Sequence, residues 1–225
     1  IDYCSQYFGD KHAEEIAALY KAFYNAYWIP KASEFEGLER QFVFQDLRYA
    51  RAFDHIFDEF YTTGDEINMN PLHKIGYESV PGRTFRIDNN HNNAENQVDA
   101  LLNGMQLTIP KFEMVAAKCS EMMFKLDKDS QTFFNDNLRI FSYYMAHLSK
   151  ALYHYVYAYK HQPDKEILIK HLNLAYQEAS RAQNYLLEAQ HGVFSTWYTN
   201  ADPLTRTFQI DTLKSNILLL KEIRE

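Results

Sequence analysis

Runs of apolar residues spaced alternately three and four apart constrain this chain more than any other feature. One run is Phe134, Leu138, Phe141, Met145, Leu148, Leu152, Tyr155, Tyr159. A second is Val98, Leu102, Met105, Ile109, Phe112, Ala116, Cys119, Met123, Leu126. Such spacing keeps one side of a helix apolar over several turns. Stripes this long predict helices packed lengthwise at shallow crossing angles. The expected fold is all-α, an up-down bundle of about five long helices with a short C-terminal helix and one long irregular loop.

The first helix is expected from Asp10, a candidate N-cap, to Trp28, with Ile16, Leu19, Phe23 and Tyr27 on one face. Pro30 ends it. Ser33 and Glu36 have capping-box spacing, and the second helix continues to Tyr61 through Leu38, Phe42, Gln45, Tyr49, Ala52, Ile56 and Phe60. Residues 62–93 lack periodicity and end in an Asn-rich run; loops of that length are often functional. A third helix is expected from Ala94 to Leu126, kinked but continuous through Gly104 and Pro110. Asp129 or Ser130 is expected to cap a fourth, which reaches His161. Pro163 and Asp164 turn into a fifth, whose stripe is Leu168, Leu172, Ala175, Ala179, Ala182, Leu186, Ala189. Alanine there lets a neighbour come close. After a loop from Val193 to Thr207, Ile210, Leu213, Ile217 and Leu220 mark the last helix. The short links make sequence neighbours antiparallel neighbours.

A length of 225 residues suits one domain, so residues 1–225 are read as a single helical bundle. Because Tyr3, Tyr7 and Phe8 precede the first helix as apolar surface, the expectation is a segment cut from a longer polypeptide. A net charge of −7 with no Lys/Arg-rich run argues against nucleic-acid binding, which needs a basic surface. No apolar stretch has the length of a membrane span. The two cysteines, Cys4 and Cys119, have no metal-ligand spacing, and pairing or reduction stays open for them. The 17 Tyr and 16 Phe build a large-ring core, or some of them form a wet ligand-facing surface.

No complete catalytic motif is present, and no catalytic residue, metal site or cofactor is expected. His147, His154 and His161 share a helix flank, but seven residues is about 10 Å of rise, too far for one metal. Glu188-Ala-Gln-His191 is the single Glu-x-x-His match, and a di-iron carboxylate bundle needs two. No Gly-x-Ser-x-Gly elbow or phosphate-binding glycine loop occurs. On the second helix, Gln45 falls on the apolar stripe among Asp46, Arg48, Arg51, Asp54 and His55; a buried amide left unpaired costs roughly 1–3 kcal/mol, which points to an architectural polar network. The irregular segments are the better site candidates, because recognition residues concentrate on loops. Arg83, Asn89 and His91 in the first, and Trp197 and Tyr198 in the second, are the candidates for contact with a carbohydrate or at an interface. A Trp-Tyr pair can stack on a sugar ring or plug the end of a bundle.

Three stretches resemble a known family. His191-Gly192-Val193-Phe194-Ser195-Thr196-Trp197-Tyr198 resembles the Gly-Lys-Trp-x-x-Trp-Tyr element after the last long helix in helical domains of bacterial glycoside hydrolases, with Val193-Phe194 in place of Lys-Trp. Tyr7-Phe8-Gly9-Asp10 with Glu14-Glu15-Ile16-Ala17 resembles the segment just after their catalytic barrels. Asp129 to Asn137, with Phe133-Phe134, resembles the start of their fourth helix. The family is glycoside hydrolase family 115, α-glucuronidases acting on xylan side chains. The resemblance implies a non-catalytic accessory domain of a carbohydrate-active enzyme, with the paired acids of glycoside hydrolysis elsewhere in the polypeptide. Its implied partners are the catalytic barrel, a glycan and a second copy in a homodimer. Its implied location is secreted or periplasmic in a bacterium. The alternative reading is a stand-alone helical interaction or ligand-binding module with an aromatic surface.

Overall fold

The computed structural model describes residues 2–26, 94–192 and 210–224. The second expected helix, the 62–93 loop and the Val193–Thr207 loop lie outside the described residues. Among those described the protein is all-α, with no strand. The helices are α1 (Asp2–Phe8), α2 (Ala13–Ala26), α3 (Ala94–Met123), α4 (Lys128–Phe134), α5 (Ile140–Lys160), α6 (Lys165–Glu188) and α7 (Ile210–Arg224). A π-helical turn, Asn135–Arg139, joins α4 to α5 without a break.

The apolar stripes form the core. Phe134, Leu138, Met145, Leu148, Leu152, Tyr155 and Tyr159 are buried, and Phe141 packs against them partly exposed. On α6 the whole expected row from Leu168 to Ala189 is buried. Ala175, Ala179 and Ala182 are fully buried on α6, and α5 and α6 form the most extensive helix pair among the described residues. α5 also packs on α3, α3 on α2, and α6 on α7. Cys4 and Cys119 are both buried and free, which settles them as unpaired thiols. Burial pushes the Cys119 thiol up to about 12, against a Ser142 hydrogen bond and the nearby Arg139 charge that lower it. No helix among the described residues is long and apolar enough to cross a membrane.

Four local features differ from the sequence expectations. First, α1 precedes the expected first helix. Gly9 ends α1 at φ +73°, a conformation with little cost for glycine, and α2 starts only at Ala13, so Asp10 lies in the intervening turn and does not cap it. Second, Asp127, and neither Asp129 nor Ser130, is the N-cap of α4; its Oδ1 accepts from the backbone N–H groups of both, at 3.1 and 3.0 Å. Third, α3 stops at Met123, short of Leu126. Fourth, the π turn interrupts what periodicity reads as one α-helix. There Asn137 Nδ2 donates to the Phe133 carbonyl at 2.9 Å, and the Asn135 side chain accepts from Arg139. Asparagine side chains that bond to nearby backbone groups compete with the regular ladder. As expected, α6 begins after the Pro163–Asp164 turn; Asp164 accepts from the Ile167 N–H at 3.1 Å.

Candidate functional site

The side of α5 turned away from the core carries Arg139 at its entrance, then Tyr143, His147, Lys150, His154, Tyr157 and His161, all partly exposed. These positions recur every three or four residues, so they line one face. α3 supplies partners along one edge. Lys160 bonds Asp99, Gln106 donates to the Tyr153 hydroxyl at 3.3 Å, Lys150 pairs with Glu113, and Ser120 bonds the Tyr143 hydroxyl at 3.0 Å. As α3 numbers rise, α5 numbers fall, so the two helices are antiparallel. α6 lines the other edge in the same sense: His171 meets His154, Glu178 meets His147, Tyr185 meets Tyr143, and Glu188 meets Arg139.

Three groupings follow along this seam. At its lower end, Arg139 stands over the Tyr143 ring at 5.3 Å, and its Nε donates to Ser120 Oγ at 3.3 Å. Glu188 lies 3.7 Å from the Arg139 guanidinium, and His191 Nε2 lies 2.8 Å from Asp136 on the π turn. Glu188 and His191 are therefore engaged with Arg139 and Asp136, contacts that fasten the end of α6 to the π turn.

In the middle, His147 Nδ1 lies 2.7 Å from Glu178 Oε2, and Arg181 bonds the other carboxylate oxygen. The His147 ring lies nearly parallel to Tyr185, with centroids 5.5 Å apart, and Tyr185 stacks on Tyr143 at 4.5 Å. Glu178 is only 7% exposed. Burial pushes its carboxyl up, but the His147 hydrogen bond and charge, with Arg181 and Lys150, outweigh that and hold it below the ordinary range. An ionised Glu178 only accepts, so His147 Nδ1 is the donor of this bond. This orienting pair is one part of general-base machinery, but Arg181 also takes the carboxylate.

At the upper end, His154 Nδ1 and His171 Nδ1 are 3.2 Å apart. Tyr157 lies between His171 and His161, with ring centroids 4.2 and 4.3 Å away. The three histidines of the α5 flank thus have three different partners, as their 10 Å spacing along the axis requires. No group of three or more His, Cys, Asp or Glu side chains suited to a metal occurs among the described residues.

The candidate contact residues Arg83, Asn89, His91, Trp197 and Tyr198 lie outside the described residues, as does the polar set around Gln45. The seam itself escapes a helix-by-helix reading. Its signal is the coincidence of three heptad series: Asp99, Gln106, Glu113, Ser120; His147, His154, His161; and His171, Glu178, Tyr185. Each looks like a solvated flank alone. No family model matches the chain, and neither a curated protein nor a solved structure matches it.

Proposed function

We propose that this chain is a non-catalytic helical accessory domain that docks against a larger catalytic unit and buttresses it. In line with the sequence resemblance, that unit is the barrel of a glycoside hydrolase of the family 115 type. The observation that supports docking is the outer side of α3. Leu107 and Met114 are 51% and 47% exposed, and Phe124, just past the helix end, is 89% exposed. Exposed Pro110 and Ala117 join Leu107 and Met114 in a row at steps of three and four, which the exposed Glu121 interrupts before Phe124, opposite buried Leu102, Met105, Phe112 and Cys119. Isolated exposed apolar residues are ordinary, whereas a row along one helix face suits an interface. The acid–base groups of the α5 seam are engaged with one another, which suits a supporting role. In this reading Arg83, Asn89, His91, Trp197 and Tyr198 contact the glycan or a second copy, and the protein works outside a bacterial cytoplasm.

The test places Met114→Lys in the full polypeptide and in the isolated chain. The isolated chain should change by about 0.5 kcal/mol or less, as for an exposed site. The full polypeptide should lose the shared unfolding transition of the two units. Turnover of xylan oligosaccharides by the isolated chain, abolished by substituting one of its carboxylates, would sink the non-catalytic reading.

The second reading, a stand-alone interaction or ligand-binding module, is favoured by one ring cluster. Tyr7 stacks on Phe133 at 5.0 Å and Tyr3 lies 4.6 Å from Tyr7, while Tyr3 and Tyr7 are half exposed. An upstream reading frame with alternating strands and helices supports the accessory domain; a mature protein starting at Ile1 supports the module.

A further inference from the structure

The upper end of the seam holds two imidazole nitrogens that face each other across a helix pair. His154 comes from α5 and His171 from α6, and their Nδ1 atoms are 3.2 Å apart. Both side chains are partly exposed. Each ring is braced: Tyr153 packs edge-on against His154 at 5.4 Å, and Tyr157 stacks on His171 at 4.2 Å.

Two arrangements put such nitrogens this close. In one, a neutral ring donates an Nδ1–H to the other ring. In the other, both Nδ1 lone pairs converge on one cation. Ring geometry admits both, because a hydrogen bond bent by about 30° also draws the rings closer. Nitrogens aimed head-on across this gap would set the centroids about 5.5 Å apart. Lone pairs converging on an ion at the usual zinc–nitrogen distance of about 2.0–2.1 Å would set them about 5.0 Å apart. The observed separation is 5.1 Å, with the ring planes at 63°. At those bond lengths a 3.2 Å nitrogen gap subtends about 100–106° at the ion, close to a tetrahedral angle.

We propose that His154 and His171 form an open two-nitrogen site for a divalent first-row transition cation that tolerates imidazole, such as Zn²⁺, Ni²⁺ or Cu²⁺, bridging α5 and α6. No third His, Cys, Asp or Glu joins them among the described residues, so water or a small exogenous ligand fills the remaining positions. Both rings meet the protonation requirement. Burial holds His154 below its ordinary value, and burial with the charges of His154, Lys170 and His161 holds His171 at about 4. The neutral ring is the form that binds metal. Of the charges that reach His154, Glu178 favours a cation and Lys150 opposes it.

The test is titration of the tag-free full chain with ZnCl₂ alone, followed by calorimetry and by long-range ¹H–¹⁵N spectra of the imidazoles. One equivalent should bind, shift both the His154 and His171 Nδ1 resonances, and leave both rings with the proton on Nε2. His154→Gln and His171→Gln should each weaken binding by at least about tenfold, while His191→Gln, at the far end of the seam, should not. Spectra in which one Nδ1 stays protonated at saturating zinc would overturn the proposal. Equal affinity in either Gln variant, or no binding by the unaltered chain, would overturn it too. The spectra use the unaltered protein, so they decide the matter even where a variant fails to fold.

Discussion

The inner and outer faces of α5 repeat at the same interval and hold the bundle by different physics. Tyr144, Leu148, Leu152 and Tyr155 on the inner face are wholly buried. Their contribution scales with apolar area removed from water and carries little direction. The outer face places Arg139, Tyr143, His147, Lys150, His154 and Tyr157 against named partners on α3 and α6. Partly exposed ion pairs of that kind each contribute about 1 kcal/mol or less. Their value lies in register. A stripe that repeats every seven residues tolerates a seven-residue slip, but that slip would set Glu113 beside Tyr143 or Tyr157 in place of Lys150. The inner face therefore sets how stable the bundle is, and the outer face sets which alignment is stable.

The largest expected effect is on the inner face. Leu148→Ala or Leu152→Ala should each cost about 2–5 kcal/mol, because both side chains are fully enclosed and their removal leaves a cavity. Chemical denaturation measures this directly. A loss under 1 kcal/mol at both sites would mean that the inner face is loosely packed and that the division of labour is wrong. A somewhat smaller cost is expected across the seam from them. Ala179→Leu on α6 adds volume at a fully buried small side chain, and should cost about 1–3 kcal/mol. If it stabilises the protein, the two helices are not in close contact there.

The sequence made the inner face legible and left the outer one unread, for a definable reason. Periodicity reports which side of a helix is apolar, and the buried rows of α3, α5 and α6 follow it almost residue by residue. It does not report which neighbour a polar flank meets. His154 reads as solvated until α6 brings His171 beside it, and His147 until Glu178 arrives. Cap choice fails differently. Asp127, Asp129 and Ser130 are all competent caps, and only the backbone, extended at Asp127 with φ −68° and ψ 164°, selects one. At the π turn the Asn137 side chain competes for the Phe133 carbonyl while Asn135 holds the Arg139 side chain, a balance that residue identity alone leaves open.

The smallest expected effect tests the outer face through pH. Glu178 is held below the ordinary carboxylate range once its charged partners outweigh burial. A carboxyl depressed in the folded state contributes stability that is present above its unfolded pKa and is lost as pH falls through its folded value. Glu178→Gln keeps the shape and one acceptor but cannot ionise. At pH 7 the native protein should exceed this variant by about 0.5–1.5 kcal/mol. The gap should narrow as the pH drops below the ordinary glutamate range, and close once Glu178 is protonated in both states. Urea denaturation of the two proteins from pH 7 to pH 3 supplies the comparison. A gap that stays constant over that range would show that the carboxylate charge does not stabilise the seam, and that His147 and Arg181 are aligned by ring stacking and helix packing instead. A gap that closes while the inner-face variants keep their deficit at every pH would separate the two faces of α5 by the physics each one uses.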